Sequence, residues 1–288
     1  MTFSEAVQAA FPPLFLFLFL AGAVVTALGF VKFVYFLSVG YGLSIAALAV
    51  VIGAFCFPSL SLAAIIQLSL LLIYGVRLGG FLLARELKSA AYKVEMGETD
   101  GIGKRMTFPV KAIIWLACAF LYCAQVSPAL YRAVAEQEGR SMETGVWILA
   151  GILIMAAGVL LEAFADRQKS RAKRTNPKRF CSDGLYKYVR FPNYLGEILF
   201  WTGMAVSGAD IYHGWAQWTV VLLGYGCILY VMMDGAKRLE AKQNQRYGAG
   251  EEYKRYVAST PKLFPSLKAG KEAHHEQIND KRAKEKSG

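Results

Sequence analysis

Three short constellations place hydrogen-bonding side chains inside or at the mouths of apolar segments. In "LLIYGVRLGGFLLARE", Tyr74 and Arg77 are three residues apart, and Phe81 and Arg85 continue along nearly the same helical face. Glu162 and Asp166 are separated by four positions near the end of another apolar run. Asn193 and Glu197 repeat that spacing where a further apolar helix begins, with Pro192 suited to its first turn. A charge in hydrocarbon is costly unless a cation or a hydrogen-bond donor meets it. Internal ion pairs, Arg77 with Glu162 or with Glu197, are one way to meet that cost. Three acids, a tyrosine and arginines converging from separate segments exceed what packing alone requires, and they point to a polar site in an apolar chamber. Asp210 and Asp234, near segment ends, read as interfacial.

The elements that must carry these residues are membrane helices. Of 288 residues, 55% are hydrophobic and 18% charged, too apolar a balance for an ordinary soluble domain. Segments 11–31, 34–56, 60–82, 109–127, 145–165, 195–212 and 215–233 are each long enough to cross a hydrocarbon core of roughly 30 Å. An all-α polytopic membrane protein with seven transmembrane helices follows. The first segment lacks a basic leader and a clear small-residue cleavage site, so it stays in the mature protein. Lys and Arg crowd the stretches after the third, fifth and seventh spans, and Lys32 follows the first. The loop after the fourth holds only Arg132 and Arg140, and those after the second and sixth hold none. The positive-inside rule then puts the N-terminus outside and the C-terminus in the cytosol. A bacterial inner membrane and an endoplasmic reticulum both suit this pattern. Residues 1–267 form one membrane domain, and the charged, non-periodic residues 268–288 read as a disordered tail.

Nine Lys and Arg lie between Arg167 and Arg190, together with turn formers at Asn176-Pro177 and Asp183-Gly184 and aromatics at Phe180, Tyr186 and Tyr188. Such a run is either a topology anchor or a seat for a polyanionic cofactor, because both cations make charge-assisted bonds to phosphate. The net charge of +11 fits membrane lipid or a phosphorylated ligand better than nucleic acid. Residues 86–108 read as a polar cytosolic loop, a linker rather than a lid. Five cysteines without paired spacing read as buried thiols, and the three histidines (His213, His274, His275) do not suggest a metal site.

The run "GLYKYVRFPNYLGE" from Gly184 to Glu197, preceded by "EAFADRQK" and followed by "YKRYVASTPKLFP", resembles the steroid 5-alpha-reductase family and its bacterial relatives. The similarity is strongest over residues 158–265 and fainter over the first four spans. The resemblance implies a seven-helix membrane enzyme that binds NADPH on the cytosolic side and reduces a carbon-carbon double bond conjugated to a ketone. It implies that Tyr74 hydrogen-bonds the substrate carbonyl, that Glu162 and Asp166 lie near the cofactor, and that Arg179 binds it. Lys169 and Lys173 become phosphate partners, and Asn193 and Glu197 contact the nicotinamide. Arg77 either assists Tyr74 and a cofactor phosphate or serves as a counter-ion to Glu197.

The mammalian steroid enzymes carry a glutamate on helix two, whereas "FVYFLSVGYGLSIAAL" has no acid here, which leaves Tyr41 and Ser38 as substitutes. The substrate implied is a hydrophobic small molecule from the bilayer, a steroid or another lipid enone. S-adenosylmethionine-dependent isoprenylcysteine and phospholipid methyltransferases share a similar R-H-P-x-Y signature. Phe191 stands in the histidine place here, and Asn193 with "GE" follows. A non-enzymatic membrane protein with internal ion pairs is the third reading.

Overall fold

A computed structural model describes residues 2–88, 90–140 and 145–265. The expected tail at 268–288 and the domain end at 267 lie outside the described residues. Among those described, the chain is helical without strands. A capping box between Thr2 and Glu5 starts α1 (Phe3–Ala10). Pro13 opens α2 (Pro13–Thr26), which tightens into a 3-10 turn at Ala27–Phe30. A second 3-10 turn (Phe33–Phe36) leads into α3 (Val39–Cys56), followed by α4 (Leu62–Lys88), α5 (Ala90–Lys104), α6 (Phe108–Gln137) and α7 (Val146–Thr175). After a 3-10 turn at Gly184–Lys187 come α8 (Pro192–Val206), α9 (Trp215–Tyr247) and α10 (Glu251–Ser259).

Six stretches among the described residues are long and apolar enough to span a membrane: Pro13–Phe30, Phe33–Ser59, Leu62–Lys88, Phe108–Gln137, Val146–Thr175 and Trp215–Tyr247. The protein is thus a multi-pass integral membrane protein by the length and composition of its helices. The segment expected to span at 195–212 is shorter than its apolar composition suggests. With 15 residues, α8 is about 22 Å long, less than the roughly 30 Å of a hydrocarbon core. Its last carbonyls are taken by side chains: Arg132 Nη2 donates to Ser207 O at 2.9 Å, and the Tyr212 hydroxyl donates to Ala205 O at 2.7 Å. The stretch expected to be a loop at 86–108 is mostly α5. Its three glycines are poor helix formers, but tertiary contacts hold it. A Cβ on Gly103 would lie 2.2 Å from Phe33 Cβ, and Asp100 Oδ1 accepts the Val34 N–H at 3.4 Å.

The chain divides into two units, Met1–Ala156 with Trp201–Cys227, and Ala157–Phe200 with the described part of Ile228–Gly288. In the first, α2, α3, α4 and α6 pack together, and α3 lies most closely on α4. Small residues let the backbones touch, as expected where lipid supplies no hydrophobic drive between helices. A Cβ on Gly42 would meet Gly79 N at 2.6 Å, and one on Gly75 would meet Gly42 O at 2.5 Å. Arg132, 1% exposed, also binds Asp210 Oδ1 at 2.5 Å, so the arginine read as a loop residue lies buried inside α6.

In the second unit, α7 and the first half of α8 meet through Gly158 and Gly196, whose added Cβ atoms would lie 2.5 Å from Phe200 N and 2.7 Å from Glu162 N. Phe191, Ile198, Ala236 and Leu263 form its apolar core. The segment after α10 runs beside the entry to α8. Arg190 and Phe191 donate their N–H groups to Pro261 O and Lys262 O at 2.9 and 3.1 Å, and Glu240 pairs with both Arg190 (2.6 Å) and Lys262. The Gly184 turn needs φ +62°, and the Gln168 side chain fills the place where a Cβ would sit.

Candidate functional site

Each unit holds one centre of expected site residues. In the first, the one-residue offset of Tyr41 from Gly42 and of Tyr74 from Gly75 puts both phenols beside the tight α3–α4 seam. Their hydroxyl oxygens are 2.9 Å apart, and both residues are buried, Tyr74 completely. The Tyr74 ring meets the edge of Trp201, with centroids 5.6 Å apart, and the Tyr41 ring leans on Tyr122 at 5.0 Å. The Tyr122 hydroxyl donates to Phe36 O, and Ser38 Oγ donates to Val34 O at 2.9 Å. Of the two residues named as substitutes for a helix-two acid, Tyr41 therefore joins Tyr74, while Ser38 is committed to the backbone of its own turn. Arg77 lies partly buried one turn beyond Tyr74. Arg85, expected on the same face, is exposed and lies over the Tyr92 ring at 4.2 Å.

In the second unit, Glu162 (4% exposed), Asp166 (9%) and Glu197 (4%) are all buried. The helical spacing works as expected: Glu162 lies where α7 abuts Gly196, and Glu197 is the next residue on α8. Asn193 Oδ1, one turn earlier on α8, is buried without a hydrogen-bond partner. Tyr186 roofs Asp166, its hydroxyl donating to Ala165 O at 3.3 Å. Burial first, and then the Asp166 charge, pushes this phenol well above its ordinary range. The unsatisfied Asn193 amide oxygen, on the helix that carries Glu197, is an acceptor suited to a ligand with N–H donors.

The expected cations differ in what they do. Lys169 is partly buried near Cys181, within electrostatic reach of its thiol. Lys173 Nζ clips the loop instead of standing clear of it, donating to Arg179 O at 2.6 Å and to the Tyr247 hydroxyl at 2.8 Å. Arg179 pairs with Glu252 on the exposed surface. Two further residues, Arg190 and Gln168, carry no local signal in the sequence pattern. Arg190 was counted only as part of a basic run, because its partner Glu240 is on α9 and no local spacing links them. Gln168 accepts the Leu185 N–H at 2.9 Å, and the signal for that contact is the glycine at 184.

Both centres fall within one sequence match. The profile of a family described as a protein of unknown function, DUF1295, matches residues 24–260. No curated protein and no solved structure matches the chain. Because the match takes in most of the sequence, this chain belongs to the DUF1295 family.

Proposed function

We propose that this protein is an NADPH-dependent membrane reductase of the steroid 5-alpha-reductase type, acting on a carbon-carbon double bond conjugated to a ketone in a steroid or another lipid. The carrying observation is the buried, unpartnered Asn193 Oδ1, one turn before the buried Glu197. A nicotinamide carboxamide has the NH2 donors that Asn193 Oδ1 lacks, so the residues present fit the group. When bound, NADPH supplies the hydride. Lys169 and the basic loop after α7 favour its phosphates, and Glu162 and Asp166 lie beside the nicotinamide end in this assignment. Tyr74 donates its hydroxyl proton toward the ketone oxygen, where negative charge builds as the alkene is reduced. A neutral phenol does this without burying a permanent charge. The apolar lining of α2 and α3 suits a substrate that arrives from the bilayer.

In this reading α8 with the turn after it is the seventh membrane segment. The N-terminus faces outward and the C-terminus the cytosol, as the distribution of Lys and Arg favours. The competing cofactor is S-adenosylmethionine. Phe191 packs into the apolar core of its unit, in the place of the methyltransferases' histidine, and this favours the nucleotide. Thermal unfolding of the detergent-solubilised protein separates the two, since a ligand that binds only the folded state raises the apparent melting temperature. A rise with NADPH, and a product two hydrogens heavier from an enone panel, is expected. A rise with S-adenosylmethionine alone refutes the proposal, as does no rise with either cofactor.

A further inference from the structure

Tyr41 and Tyr74 carry one hydroxyl proton each, and their oxygens are 2.9 Å apart. One proton therefore lies between the two oxygens, and the other points elsewhere. A ketone oxygen has lone pairs and no proton, so a hydroxyl that contacts it must spend its only proton there. The oxygen of that hydroxyl must then accept from its neighbour.

We propose that Tyr41 is the positioning residue of the reaction: it donates to Tyr74 and thereby turns the Tyr74 proton outward to the substrate. This rests on the reductase reading. The hydroxyls of Tyr122 and Ser38 are already spent on backbone carbonyls, the first on Phe36 O and the second on Val34 O. Tyr41 cannot drift from its partner, because Gly42, Gly75 and Gly79 hold α3 and α4 in backbone contact beside the pair. As charge grows on the ketone oxygen, the Tyr74 proton shifts toward it and the Tyr41 proton shifts toward the Tyr74 oxygen. Hydrogen bonds in such a chain polarise one another and strengthen together. No covalent bond at Tyr41 is made or broken. The pair takes the place of a single acid beside the donor, without a formal charge in the apolar interior.

The test is a cycle of Tyr41→Phe, Tyr74→Phe and the double variant, assayed by NADPH oxidation with an enone that the wild type reduces. Tyr74→Phe is expected to lower kcat about 100-fold, as for loss of one oxyanion donor. Tyr41→Phe should lower it about tenfold, with the KM for NADPH unchanged. The double variant should be no slower than Tyr74→Phe within about threefold, because Tyr41 acts only through Tyr74. Losses that multiply overturn the proposal, and so does full kcat in Tyr41→Phe. A second readout needs no variant: a proton inventory of wild-type kcat in mixed light and heavy water should curve, and a straight line overturns the two-proton arrangement. If the wild type reduces no enone while NADPH leaves its melting unchanged, the reductase reading fails and takes this inference with it. An active wild type with an unaffected Tyr41→Phe sinks the inference alone.

Discussion

Substituting Gly75 by alanine tests the seam that sets the tyrosine pair. The new methyl would lie 2.5 Å from Gly42 O and 2.6 Å from Ala46 N, both backbone atoms that no rotamer change can move. An ordinary carbon–oxygen contact is about 3.3 Å or longer, so α3 and α4 must separate locally by about 0.8 Å. The same displacement would stretch the 2.9 Å hydroxyl contact to about 3.7 Å, beyond the range of an O–H···O bond. Overpacking of this kind costs about 1–3 kcal/mol, and the lost hydrogen bond about 1 kcal/mol more. Alanine recovers about 1 kcal/mol through its better helix propensity. The contact term wins, and the net loss expected is about 1–3 kcal/mol. Gly80 on the same helix is the control, because a Cβ there meets nothing within 4 Å. Reversible unfolding in mixed micelles should show Gly75→Ala less stable than wild type and Gly80→Ala at least as stable as wild type. Equal stability of the two variants would refute the argument that backbone contact, rather than side-chain packing, closes this seam.

Other outcomes follow from the second unit. Glu240→Gln should destabilise by about 3 kcal/mol, because it leaves the buried Arg190 without its carboxylate, and unfolding in the same micelles measures it. Gly184→Ala should cost about 1–2 kcal/mol for the left-handed backbone alone, with the Gln168 to Leu185 bond also lost; thermal melting would reveal it. Burial pushes the Cys181 thiol above its ordinary value, so at pH 8 its thiolate fraction should be below that of a free cysteine. Its alkylation, followed by peptide mass mapping, should keep rising at a pH where a free thiol has already levelled off. Glu197→Gln should weaken NADPH binding about tenfold; fluorescence titration of the cofactor checks it.

Much of the fold was legible because membrane helices are written as long apolar runs, and the i, i+4 spacing of Glu162 with Asp166 and of Asn193 with Glu197 survives in buried positions on α7 and α8. The end of α8 was not legible. Its apolar composition continues to residue 212, and the groups that take its last carbonyls, Arg132 and Tyr212, come from α6 and from the turn beyond it. Arg85 shared a helical face with Tyr74 on paper, but α5 supplies Tyr92 to draw it outward. Lys173 and Arg179 looked alike as free cations. Only the folded loop shows the first clipped to Arg179 O and Tyr247 and the second paired with Glu252. Tyr41 was marked by the family resemblance and by no local spacing, since its partner Tyr74 is 33 positions away.

The pairing of Arg190 and Phe191 with Pro261 and Lys262 has a consequence for biogenesis. The ribosome must release the chain through Lys262 before the entrance to α8 can acquire its hydrogen-bonded neighbour. A nascent protein halted after α9 would thread its helices into the bilayer yet lack the brace on which Asn193 and Glu197 depend. Under the proposed function, a chain cut before Pro261 should therefore capture no cofactor, although its membrane helices are all present.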